Sequence, residues 1–84
     1  MLQFINVGFG NMVAVSKIIA IITPDGAPAK RAVQTAKDEG KAIDATHGRK
    51  TRAVIFMENG QLVLSALQPE TITGRVDDIT EHEN

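Results

Sequence analysis

Residues 52–67 read RAVIFMENGQLVLSAL. Two apolar, β-branched runs, Arg52 to Met57 and Gln61 to Leu67, are joined by Glu58-Asn59-Gly60, and Asn-Gly between such runs is the strongest short hairpin signal a sequence carries. Upstream, Gln3 to Val7 alternates between polar and apolar, while Met12 to Ile22 is dense in Val and Ile. Both predict strands on either side of a Gly8-Phe9-Gly10-Asn11 turn. Thr23-Pro24-Asp25-Gly26 then stops the sheet. A helix is predicted from about Ala27 to Glu39: Asp25 or Gly26 suits the N-cap, Pro28 sits in the first turn, and Gly40 follows the end. Ala29, Ala32, Val33 and Ala36 form a narrow stripe of small residues at i, i+3, i+4, i+7. A short strand near Ala42 to Asp44 and a second helix opening at Gln68-Pro69 and ending near Asp78 complete the pattern. The expected fold is α+β, a small, mostly antiparallel sheet with one central helix and a short C-terminal helix.

At 84 residues the chain is expected to be one domain with a thin core, for which oligomerisation is a natural supplement. Without cysteine there is no disulfide or thiolate zinc chemistry, and a reducing cytoplasm fits. The N-terminus lacks the basic segment of a signal peptide, and the longest apolar run, Met12 to Ile22, is broken by Ser16-Lys17. A run of that length falls short of the roughly 20 residues a membrane span needs. The formal net charge of −1 conceals an asymmetry, since residues 76–84 carry four carboxylates and no Lys or Arg. The rest holds nine basic and six acidic side chains, so residues 1–75 read as the working domain and 76–84 as a disordered acidic tail. The consecutive apolar residues of Ile18 to Ile22, Val54 to Met57 and Leu62 to Leu64 predict strands covered on both faces. Two helices, one faced with alanines, leave part of that burial to another subunit.

Catalysis finds little to work with. His47 follows Asp44 by three residues, but Ser16 and Ser65 lack any nucleophile context, and His47 with His82 makes a poor basis for a metal site. No enzyme activity, cofactor, metal or small-molecule substrate is expected. Gly8-Phe9-Gly10 fails as a dinucleotide fingerprint because Val13 stands where the third glycine belongs and a strand follows; a tight turn is the simpler reading. The cations are more informative. Arg49, Lys50 and Arg52 lie between Gly48 and a strand, with no acid between Asp44 and Glu58, a fixed positive patch suited to phosphate oxygens. Lys30, Gln34, Lys37 and Lys41 trace a polar stripe on the first helix, for which a solvated face is the simpler reading. Lys17 stands alone in an apolar run, either as an edge lysine that discourages strand addition or as a phosphate contact. With no Trp or Tyr to stack bases, a duplex held by its backbone fits better than a single strand.

FINVGFGN near the start, PDGAPAKR at the helix entry, IDATHGRKTRAVIFM and LVLSALQPETI together resemble the RemA family of extracellular-matrix regulatory proteins over roughly Phe4 to Arg75. The resemblance implies a cytoplasmic, nucleoid-associated transcriptional regulator of biofilm-matrix genes, LytTR-like in fold, that binds double-stranded DNA as a ring-shaped homo-oligomer. It places Arg49 and Lys50 at the family's paired basic positions, Pro28 at its helix-entry proline, and Lys17 where an arginine is found in the family. Lysine at 17 and 50 keeps the charge and loses the planar fork of arginine. With Arg52, these form the candidate DNA-binding set. Two other readings compete: an oligomeric interaction module whose basic loop meets an acidic partner, and a small-nucleotide binder at Gly8 to Asn11.

Overall fold

A computed structural model describes residues 2–82, with side chains through residue 79. Strands β1 (Phe4–Asn6) and β2 (Met12–Ala14) form an antiparallel ribbon of their own. A 3-10 turn at Val15–Lys17 then delivers the chain into β3 (Ile18–Ile22) of a second sheet. The stretch Met12 to Ile22 is therefore two strands in two sheets, contrary to the single strand its apolar character suggests. Ser16 and Lys17 are exposed at the break, and the Val15 amide donates to the Gln3 carbonyl at 2.9 Å, holding the turn against the ribbon.

The second sheet also contains β4 (Ala42–Asp44), β5 (Ala53–Met57) and β6 (Leu62–Ser65), in the order β3-β5-β6-β4. β5 is antiparallel to both β3 and β6, as the hairpin reading requires, whereas β4 runs parallel to β6. The hairpin loop is Glu58-Asn59-Gly60, with the Gly60 amide donating to Met57 O at 3.0 Å and Gly60 at φ 88°, the left-handed position such a three-residue loop demands. Ile19 has no partner on β5, because the register shifts between Ile18 and Ala20; this bulge twists the free edge of the sheet.

Helix α1 spans Ala27–Asp38, with Gly26 as N-cap and proline in its first turn. Its C-terminus closes as a Schellman motif: Gly40 at φ 71° donates to Lys37 O, and Lys41 donates to Ala36 O. Helix α2 spans Pro69–His82, longer than the sequence leads one to expect. The segment after Arg75, expected as a disordered tail, is thus helical through His82, and residues 83 and 84 lie outside the described residues. Its anchor is apolar: Ile72 is fully buried, and Val76 and Ile79 pack on the same cluster, completing an i, i+4, i+7 stripe that its charges obscure.

The sheet separates two apolar layers. Ala53, Ile55 and Val63 join Ile5, Val7 and Val13 of the ribbon and Ile72 of α2 on one face. Val54, Leu62 and Leu64 face the other way, against Ala32, Val33 and Ala36 of α1. Central strands β5 and β6 are therefore covered on both faces by one chain, and the ribbon supplies the cover that sequence reading assigns to a second subunit. Apolar surface remains exposed elsewhere, at Leu2, Phe4, Met12 and Ile19.

Candidate functional site

The loop from β4 to β5 has an unusual task. Since β4 is parallel to β6 and β5 antiparallel to it, the chain must step over the end of β6 to reach its next strand. Residues 45–52 form that arch, and both its feet stand on β6: the Ala45 amide donates to Leu64 O at 2.9 Å and the Arg52 amide to Ser65 O at 2.8 Å. Within the arch, Asp44 Oδ1 accepts from the Thr46 amide at 2.9 Å and from its hydroxyl. These two bonds stabilise the charged form and hold the Asp44 carboxyl below the usual aspartate range, with Lys37 adding a smaller pull in the same direction. A depressed pKa means a contribution to folding present above the unfolded-state value and lost as pH falls through the folded one, so this clamp opens only in acid.

Past Thr46 the backbone turns through His47 (φ 56°) and Gly48 (φ 81°), and the Arg49 amide returns to Thr46 O at 3.0 Å. His47 and Phe9 are the non-glycine residues with positive φ among those described. Each left-handed residue costs about 1–2 kcal/mol, and here the two meet. Their rings stack at 4.9 Å between centroids with 20° between planes, and the Arg49 guanidinium lies 5.8 Å from the Phe9 centroid. The tip of the ribbon therefore braces the tip of the arch. A buried hydroxyl secures this junction: Ser65 Oγ donates to Val7 O at 2.7 Å and accepts from the Leu67 amide at 3.0 Å. Ser65 is thereby a structural bolt, fully buried, with no exposed nucleophile.

Phe9 is the functional-looking residue that sequence reading assigns to a tight turn. The signal available was its setting, a large ring between two glycines at a turn, where burial is hard to arrange. Phe9→Ala should lower the thermal midpoint by about 4–16 °C, the worth of the contacts its half-exposed ring makes, and should release the arch. Loss of the stack and the cation–π contact, together roughly 1–2 kcal/mol, should speed amide hydrogen exchange at Arg49 about 5- to 30-fold. Unchanged exchange would mean that the ring braces nothing.

Arg49, Lys50 and Arg52 emerge together at this end of the sheet, all exposed and none within an ion pair among the described residues. Lys50 and Arg52 line a polar cleft with Asp25 and Thr51. Lys17 is not brought to them. It ends the 3-10 turn and its carbonyl accepts from the Glu58 amide, at the opposite end of β5 from Arg52, roughly 20 Å away at strand rise. Its ammonium pairs with Glu58 at 3.8 Å, across an exposed surface where such pairs contribute little. The carboxylate of Asp44, three residues from His47, is engaged by Thr46 instead, and Gly8-Phe9-Gly10 makes a turn in which all three residues have positive φ. Among the described residues no helix is long and apolar enough to cross a membrane, and no three His, Cys, Asp or Glu side chains gather as metal ligands.

This is a small α+β domain whose distinctive surface is a braced, cationic arch. Comparison with known sequences gives the family directly: the profile of the RemA-like proteins, described as extracellular matrix regulatory protein A-like, matches residues 4–76, and the chain belongs to that family. A protein of Geobacillus kaustophilus, provisionally named as regulatory, is 52% identical over 96% of this chain and 97% of its own length. A Lachnoclostridium phytofermentans relative with the same provisional name is 60% identical over 89% of this chain and 82% of its own. One from Dictyoglomus turgidum is 57% identical over 90% and 89% respectively. These relatives are named as regulators, not as enzymes.

Proposed function

We propose that this protein is a duplex-DNA-binding transcriptional regulator of biofilm-matrix genes, cytoplasmic and nucleoid-associated, whose LytTR-like domain assembles into a ring that displays the arch once per subunit. The observation that carries this reading is the group of three unpaired cations, Arg49, Lys50 and Arg52, on a loop whose backbone is fixed at both feet. Fixed, unneutralised cations suit phosphate oxygens, and about three contacts per subunit give only weak affinity, with a salt slope near −3. Repetition on a rigid assembly converts a weak grip into a strong one. The aromatic inventory supports a duplex over a single strand, since the two rings at the arch, Phe9 and His47, are stacked on each other with Arg49 against Phe9.

Assembly is supported by the surface the fold leaves uncovered. Phe4 and Met12 project from the outer face of the ribbon, opposite the buried Ile5 and Val13, and Ile19 stands on a free sheet edge. Lys17, remote from the arch in one subunit, is assigned to a separate phosphate contact on the assembled surface. The test is the solution mass of the purified chain with and without a duplex fragment. A multiple of 9.0 kDa that rises further on adding duplex is the expected result. A monomer indifferent to duplex would overturn the proposal, and salt-sensitive self-association without DNA retention would favour an acidic protein partner.

A further inference from the structure

We infer that the DNA-contacting surface extends beyond the arch: from Lys50 and Arg52 it crosses Thr51 onto Lys30 and Lys37 of α1, forming one continuous track for the phosphates of a duplex. This rests on the proposed function and adds a second element to its interface.

Two adjoining clefts carry the inference. The first, about 160 Å³, is lined by Lys50, Thr51 and Arg52; the second, about 150 Å³, by Thr51, Lys30, Gln34 and Lys37. Thr51 and Pro24 belong to both, so the clefts abut beneath the foot of the arch. Neither lysine of α1 is in an ion pair among the described residues, whereas Lys41, the last of the same helical stripe, pairs with Glu39 at 3.9 Å and lines neither cleft. The stripe that looks uniform in sequence therefore divides into two lysines facing the arch and one turned away.

The acidic groups nearby are accounted for. Asp38 Oδ1 accepts from the Gln34 side-chain amide at 3.0 Å, and Asp44 accepts from Thr46. Asp25, in the first cleft, is the remaining carboxylate there, set against Lys50 and Arg52. Lys37 is near enough to Asp44 to act on its ionisation, which places its charge beside the foot of the arch. Spacing favours an extended polyanion over a single phosphate: positions seven apart on a helix are separated by about 10 Å along its axis, roughly three base steps of a duplex. A point-charge lysine suits this, since a backbone track needs no planar fork.

The experiment is a salt series of duplex binding by the full chain and four double variants. K30Q/K37Q should weaken binding on the order of tenfold and lower the salt slope by about 2 per bound subunit, and K30R/K37R should restore both. R31Q/K41Q removes the same charge from α1 and the residue just past its end, outside the clefts, and should stay within about threefold of the parent. Equal losses for the two glutamine pairs would reduce the effect to net charge and overturn the track. A parent that binds duplex, an R49A/K50A variant that does not, and a K30Q/K37Q variant indistinguishable from the parent would overturn the track and leave the arch in place. A parent with no salt-dependent retention would remove the proposed function and the track together.

Discussion

Replacing Arg49 and Lys50 together by alanine should cut duplex retention by at least about a hundredfold near physiological salt, with the salt slope per subunit becoming shallower by about 2. The arch itself should survive, because its feet and its central turn are held by backbone bonds from Ala45, Arg49 and Arg52 and the Phe9–His47 stack remains, although the Arg49 contact with Phe9 is lost. What is lost is charge, and in an assembly the loss recurs in every subunit touching the duplex, so the effect compounds. Gel retardation or fluorescence anisotropy at several salt concentrations reads both numbers, while the thermal midpoint reports that folding is intact. An unchanged titration by a folded double variant would show that the arch does not hold DNA. Lys50→Arg alone should retain or strengthen binding, since it restores a planar fork without altering charge.

Ile72→Ala should lower stability by about 2–5 kcal/mol, the usual cost of removing most of a fully buried aliphatic side chain. A domain of this size has roughly 4–13 kcal/mol in total, so the change takes a large share. At about 4–8 °C per kcal/mol, the midpoint should drop by at least about 8 °C. The side chain lies where α2, the ribbon and the sheet meet, among Ile5, Val7, Ile55 and Val63, so a cavity there loosens three elements at once. Thr73→Ala, exposed on the same helix and bonded only to the Glu70 carbonyl one turn back, should change the midpoint little. Similar, small shifts for both variants would mean that α2 does not dock through Ile72.

Much of the architecture is legible from local chemistry. Gly40, Pro28 and the Ala29-Ala32-Val33-Ala36 stripe announce α1 and its buried face, and Glu58-Asn59-Gly60 announces the β5–β6 hairpin. Each depends on residues close in sequence. What is hidden depends on distant pairing: the parallel alignment of β4 on β6, the division of Met12 to Ile22 between two sheets, and the ribbon serving as a cover layer. The C-terminal stretch misleads for a different reason, since counting carboxylates overlooks Val76 and Ile79, which continue the stripe from Ile72. At the site, the cluster Arg49-Lys50-Arg52 is visible at once as charge. Its bracing by Phe9, more than thirty-five positions earlier in the chain, and the remoteness of Lys17 follow only from the fold.

The way the arch is mounted has a consequence for divergence within the family. Its attachment joins the amides of Ala45 and Arg52, which every amino acid but proline supplies alike, to the carbonyls of Leu64 and Ser65, so the side chains at 49, 50 and 52 are interchangeable fittings on a standard socket. A descendant could trade lysine for arginine, or one reach for another, and retune the charge that the arch presents without renegotiating how the polypeptide folds.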